Sequence, residues 1–464
     1  MRTHQEDSIL ESGRQASPAV SRQLAEQLAA FVAPLLLELD ALIDKRLVRT
    51  LLATLSVIIQ FRNRANGLLL SELGAYLMSA DRAPAGTKRL SNLLRCTKWE
   101  HTIIDSFLWD RAKARVEELA QKQNGENGDG EDVLALWDES VVEKAESIKL
   151  EGLCAVRSSK AARLKRIKPG YFNPPGGRPI FVPGMHWLSV LLIGRSEKSG
   201  PPAVAKMEWW TTRGEHASER RTAQEQLLRE CATQWGQMLV HIFDQGFAGG
   251  PWLQLAFSYL IRFVMRWRRG YTLIDEEGGE RKAWQITRGK PSWQYRDVWD
   301  APHQCYRRTG VVAARVRHPL YPAPLWLVVS RPGKGREPWY LLTNEPVLTA
   351  ADAWRVVFAY ARRWQIEMSF RYGKSELAME SPRLWRWENR LKLMMMATLV
   401  YAFLLSLLDP SQQLLREWLL RWWCHRNGKR NREASVPLYR LRSAISRLWL
   451  DYRYRPPSPS LLFS

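Results

Sequence analysis

The chain is poor in the residues that staple or clip small domains together. Cysteine occurs five times in 464 residues, at Cys96, Cys154, Cys231, Cys305 and Cys424, and no two of them form a CxxC pair. An odd, scattered set excludes both a disulfide framework and a zinc site. Long apolar runs are also missing. The most extended, Leu393 to Leu408, follows Lys392 and falls short of the ~20 residues that a membrane span needs, so it reads as a buried core helix. Residues 1–30 are mixed and polar, and no signal peptide is expected. No internal repeat recurs at a fixed period. Acidic side chains are scarce relative to basic ones: 47 Asp and Glu face 69 Lys and Arg, for a net charge of +22. Such a surplus calls for a polyanionic partner, with nucleic acid favoured over a merely basic or ribosome-associated surface. Tryptophan is plentiful, at 22 residues. Indoles stack on bases, although most will simply fill the core. A hydrophobic share of 45% excludes wholesale disorder and gives each of two to four domains a core to bury.

Residues 1–130 read as helical. Apolar residues recur at helical spacing through Leu24–Leu42, where Pro34 should break or kink the run, and through Leu47–Ile59. Ser71 is a candidate cap for a short helix. A break at Pro84–Gly86 then precedes a helix bearing Lys88, Arg89 and Arg95. This order suits a helix-turn-helix reader or an ordinary helical hairpin equally. The polar stretch 121–132 is a linker by composition. Strand-like runs follow at Val133–Trp137, Trp187–Ile193, Val204–Thr212, Met238–Phe243 and Arg262–Trp267. Helices are expected at His216–Trp235 and Pro251–Leu260. Residues 270–337, with short alternating runs between Gly and Pro, read as a β-rich insertion. Helical periodicity returns at Ala350–Glu376 and Leu384–Leu408.

Two short apolar runs each end in an aspartate: LALWD at 134–138 and LVHIFD at 239–244. An Asp at the end of a buried strand must be solvated, hydrogen-bonded or held by a cation. Glu139 and Asp132 rival Asp138; Asp138 is preferred because it directly ends its run. A third segment, YARRWQIEMSFRYGK at 360–374, sets Tyr360, Arg363, Glu367 and Lys374 within about a 60° arc of one helix face. A solvated salt-bridge face explains an Arg363–Glu367 pair. The apolar neighbours Trp364, Ile366 and Phe370 argue instead for a buried polar stripe, which is costly unless it binds something.

The Tyr–Arg–Glu–Lys spacing resembles the motif of the insertion-sequence-four group of bacterial DDE transposases, which includes the transposase of transposon five. Trp364 after the motif Arg, the block WYLLTNEPV at 339–347 and RFVMR at 262–266 add to the resemblance. It implies an α/β catalytic core of RNase H-like type, a mixed sheet flanked by helices, with a β-rich insertion and an all-α N-terminal domain. The implied division is a helical DNA-binding domain at 1–125, the core at 131–269 and 338–409, the insertion at 270–337 and a basic helical tail with a role in dimerisation at 410–464. The implied function is excision and integration of an insertion sequence by phosphodiester hydrolysis and strand transfer through a hairpin. An inactive or domesticated DNA-binding derivative is the alternative. Asp138, Asp244 and Glu367 would hold two Mg²⁺ ions, with Mn²⁺ as a substitute. Tyr360, Arg363 and Lys374 would grip DNA phosphates. Trp339 would stack on a flipped base, unless it is a strand-end core residue, and Trp364 would assist. The cluster at 157–170, with Lys165 and Arg166, is either solvated surface or a DNA-backbone track; Lys88 and Arg89 would contact DNA if their helix is a helix-turn-helix reader. Double-stranded DNA and a second copy in a synaptic dimer are the implied partners. No membrane association is expected, and the implied location is the bacterial cytoplasm, on the nucleoid.

Overall fold

The computed structural model describes residues 13–123, 132–144, 149–158, 180–300, 305–425 and 438–452. Five helices come first: α1 (Ser17–Leu42), α2 (Lys45–Gln60), α3 (Leu70–Leu77), α4 (Ala83–Arg95) and α5 (His101–Gln123). In α1 the buried residues Val20, Leu24, Leu28, Val32, Leu35 and Leu39 recur every third or fourth position, which fixes its inward stripe. The expected break at Pro34 is absent. The helix runs through it, and burial of Val32, Leu35 and Leu36 around the proline offsets the lost hydrogen bond. Asp44 caps α2 by accepting from the Arg46 N–H at 2.7 Å. Ser71 is not a cap, since α3 already begins at Leu70. Nor does Pro84 break the chain: it lies in the first turn of α4, where a missing N–H costs least. Gly86 lets α4 meet α3 backbone to backbone, because a Cβ there would sit 2.3 Å from the Gly74 carbonyl oxygen. The pair is a tight helical hairpin.

A mixed 12-stranded sheet follows, flanked by helices. Its strands are β1 (Val133–Glu143), β2 (Cys154–Arg157), β3 (Phe181–Gly194), β4 (Ala203–Trp210), β5 (Leu239–Phe243), β6 (Arg262–Arg266), β7 (Thr272–Ile274), β8 (Glu280–Lys282), β9 (Gln294–Asp300), β10 (Cys305–His318), β11 (Tyr321–Arg331) and β12 (Trp339–Thr343). The main path is β2-β3-β1-β5-β6-β12-β11-β10-β7-β8, with β4 on β3 and β9 on β10. Among the described strands, β1–β5 and β5–β6 pair in parallel and the other pairs are antiparallel. The strands at 270–337 therefore continue the same sheet through β11 and β12.

Helices cover both faces, which is why the central strands read as unbroken apolar runs. Leu134, Leu136 and Ile242 point to one face, against α9 (Ala350–Ala361), α10 (Trp364–Ser375) and α11 (Trp387–Ser406); Ala135, Trp137 and Phe243 point to the other, against α6 (Arg220–Trp235) and α7 (Gly250–Ser258). A short turn, α8 (Ala283–Ile286), precedes β9; α12 (Gln413–Trp422) packs on α13 (Leu438–Asp451), which packs on α2. The run 393–408 lies largely in the buried helix α11, and no single described helix is long and apolar enough to cross a membrane.

Candidate active site

Parallel pairing sets the first two acids side by side. Trp137 of β1 aligns with Phe243 of β5, so the next residues, Asp138 and Asp244, stand level on neighbouring strands. Both leave the face that carries Trp137 and Phe243, and so turn toward α9 and α10. Asp138 does not end its strand as expected. β1 runs on to Glu143, because antiparallel β3 keeps pairing with it after β5 has stopped. Asp138 is a strand end only with respect to β5.

The stretch 360–374 is not one continuous helix. α9 ends at Ala361 and α10 begins at Trp364. Between them the backbone tightens to three-residue hydrogen bonds: Arg363 N–H to Tyr360 at 3.0 Å, Gln365 to Arg362 at 3.0 Å and Ile366 to Arg363 at 3.1 Å. At this joint one guanidinium reaches all three acids. Arg363 Nη1 lies 3.1 Å from Asp138 Oδ2 and Nε lies 3.8 Å from Asp244 Oδ1, while Nη2 donates to Glu367 Oε1. The Tyr360 hydroxyl donates to Asp244 Oδ1 at 3.1 Å. Lys374 donates to the hydroxyl of Ser140, two residues beyond Asp138 on the same face of β1, at 2.8 Å. Trp339, the first residue of β12, packs edge-on against Tyr360 with ring centroids 5.1 Å apart. Trp364 is 56% exposed beside this cluster.

The rival acids are engaged elsewhere. Glu139 faces away and accepts from Arg220 Nε at 2.7 Å and Gln224 at 2.8 Å. Asp132, at the far end of β1, pairs with Arg262 at 2.9 Å and Arg195 at 3.6 Å. Lys88 is exposed on α4, and Arg89 donates to Thr50 Oγ1 at 3.3 Å on α2. Lys165 and Arg166 lie outside the described residues. Sequence reading misses Ser140 and reaches Arg266 only as the last residue of RFVMR, without a role of its own. The Arg266 guanidinium lies near the Tyr360 phenol and opposes the rise that burial causes in its pKa.

Electrostatics follow from crowding. Burial pushes the Asp138 carboxyl up to about 7, and its acidic neighbours Asp244 and Glu367 add to the rise; Arg363 and the Glu139 N–H pull the other way. Burial alone would lower the Arg363 pKa, but Tyr360, Asp244, Asp138 and Glu367 around it hold it above the ordinary value. Burial likewise lifts the Tyr360 phenol to about 12. The donor chemistry suits a hard divalent cation: three carboxylates already converge on one positive group. Among the described residues, no three ligand side chains close on a common point. The Arg363 side chain lies between them and would have to turn outward to admit an ion.

Residues 211–403 match the family model described as Transposase DDE domain. The matched segment contains Asp244, Trp339, Tyr360, Arg363, Glu367 and Lys374. Asp138 precedes it and joins through the β1–β5 pairing. No curated protein matches the chain. Among solved structures, the chain is similar to one titled as a cryo-EM structure of piggyBac transposase synaptic complex with hairpin DNA. The two are 14% identical, with 88% of this chain and 76% of that chain covered and a TM-score of 0.39.

Proposed function

We propose that the protein is a DNA transposase of the insertion-sequence-four type, built on an RNase H-like core, that cuts element ends and joins them to target DNA. The observation that carries this reading is the convergence of Asp138, Asp244 and Glu367 on a single guanidinium, two of them within the segment matched by the DDE model.

Asp138, Asp244 and Glu367 would hold the metal. Two Mg²⁺ ions bound there would activate the attacking oxygen and stabilise the leaving 3′ oxygen of an in-line displacement. The protein groups around them orient and neutralise. Tyr360 fixes the rotamer of Asp244 through its hydroxyl. Arg363 exchanges its three carboxylate partners for a DNA phosphate, whose geometry its planar fork matches. Lys374 supplies a second point charge beside Ser140. In the first step water adds to phosphorus and the bond to the 3′ oxygen breaks, leaving a 3′-hydroxyl and a 5′-phosphate. That hydroxyl then attacks a phosphorus of the opposite strand and displaces the 3′ oxygen of the flanking DNA, which closes the element end as a hairpin; a second hydrolysis breaks the hairpin's bridging P–O bond and restores the 3′-hydroxyl before strand transfer. Trp339 receives a base turned out of the stack at the hairpin. Synapsis of two ends requires a second copy of the chain.

The test is cleavage of duplex DNA carrying the flanks of the gene's own locus, with Mg²⁺, with EDTA, and with Glu367→Gln. A metal-dependent nick at a discrete end, lost in the variant, supports the reading. Tight binding of the correct ends without cleavage would replace it with a catalytically inactive DNA-binding protein.

A further inference from the structure

The turn before α1, the segment just past α2, the end of α12 and helix α13 border an open cavity of about 700 Å³. Four guanidinium groups line it, those of Arg14, Arg62, Arg421 and Arg447, against a single carboxylate, Asp451. Among the described residues, Arg62, Arg421 and Arg447 have no ion pair, and Arg14 is held by the Trp422 carbonyl at 3.3 Å. Two indoles form the wall. Arg421 lies 5.2 Å over the Trp422 ring and Arg14 lies 5.6 Å over that of Trp423. Such stacking holds the cations in place with their N–H edges free to donate. A smaller cavity of about 200 Å³ shares Arg62 and Arg447 and ends at Glu376, where Arg64 makes an ion pair at 3.0 Å. Glu376 is the residue just past α10, nine positions beyond Glu367, or roughly 13 Å along the helix.

Like charges gathered in a concave site are costly without an anion. The two cavities form a track leading toward the helix that carries the third acid, rather than one closed pocket. A duplex strand offers a phosphate about every 3.4 Å of axis, so about four phosphates span that length.

We propose that this arginine-lined track, formed by Arg14, Arg62, Arg421 and Arg447, binds the phosphodiester backbone of DNA whose adjoining segment lies at the three acids. The choice of DNA as occupant rests on the proposed function; the phosphate chemistry does not.

The experiment measures binding of a fluorescein-labelled DNA duplex by anisotropy across a salt series in EDTA, so that no cleavage contributes. The triple variant Arg62→Ala, Arg421→Ala, Arg447→Ala is expected to bind about tenfold more weakly at low salt. Its log–log salt slope should shrink by about two to three, as loss of that many phosphate contacts requires. A control triple of exposed bases elsewhere, Arg213→Ala, Arg229→Ala and Lys290→Ala, should change both far less. Duplex binding within twofold of wild type, or an equal loss in the control, would overturn the proposal. So would unchanged duplex binding together with a melting shift from inorganic phosphate seen only in the wild type, since the cavity would then serve a free anion. Should the alanine triple melt early, the corresponding lysine triple keeps the charges and must restore duplex binding. A folded lysine triple that fails to do so counts against the track. A protein that binds duplex through these arginines yet cuts nothing would fail the catalytic reading alone.

Discussion

The two ends of α10 present opposite electrostatic problems. At its start, three carboxylates crowd one guanidinium, so negative charge is in excess. Past its end, Glu376 meets Arg64 and Arg442, and four more arginines line the space beyond. The first cluster is richer in carboxylates than in cations, and the second is richer in cations than in carboxylates. One part of the second is plainly structural. Arg442 is 5% exposed at its side chain and donates to the Ile58 and Phe61 carbonyls at the end of α2, at 3.1 and 2.6 Å. Those are carbonyls that a helix end leaves without partners. Function and stability should therefore separate along a single helix.

The sharpest test of that separation is Glu367→Gln. Cleavage should fall by at least about a thousandfold, while duplex affinity and melting temperature stay close to wild type. Comparable losses of binding and cleavage would mean that the acid end is a folding element after all. At the other end, Arg442→Met should lower stability by about 2–4 kcal/mol in denaturant melts, because two buried carbonyls and Glu376 lose a charged partner. A neutral effect would dissolve the contrast from that side.

Asp138→Asn adds pH to the comparison. The folded carboxyl titrates near 7, well above its ordinary 3.8, so the wild type progressively loses stability as pH rises from about 4 to about 7. The amide does not titrate. In EDTA the variant's stability advantage should widen across that window and then level off, by a few kcal/mol at most. A gap that stays constant between pH 4 and pH 8 would argue against a raised Asp138. The mildest expected effect is that of Trp339→Ala: nicking persists while hairpin yield drops about tenfold. Normal hairpin yield would assign Trp339 to packing on Tyr360 alone.

Much of this was legible because the site is carried by local patterns. An apolar run ending in Asp, twice, marks Asp138 and Asp244, and the resemblance carried by the Tyr–Arg–Glu–Lys spacing adds Glu367 with its basic neighbours. What the sequence hides is non-local. That β1 continues past Asp138 depends on a partner strand some fifty residues away, and only the β1–β5 register aligns the two Asp residues. The joint at Arg362–Arg363 is a change of hydrogen-bond reach within a stretch of good helix formers, with no Pro or Gly to mark it. Pro34 shows the reverse, a strong breaker on the exposed face of α1, overridden where Val32, Leu35 and Leu36 beside it are buried. The arginine cavity unites residues from opposite ends of the chain, which no window of sequence displays together.

The alignment of Trp137 with Phe243 also sets what kinds of change the protein can tolerate over evolutionary time. The two acids are 106 positions apart, yet their spatial relation depends only on where two strands pair. The turn at Ser196–Gly200, between β3 and β4, can lengthen or shorten without disturbing them, since loop length adds little cost. Loss of one residue within β5 is a different matter. It would reverse the parity of everything after it and send Asp244 to the opposite side of the sheet. Length variation between relatives should thus be generous in that turn and absent from LVHIFD.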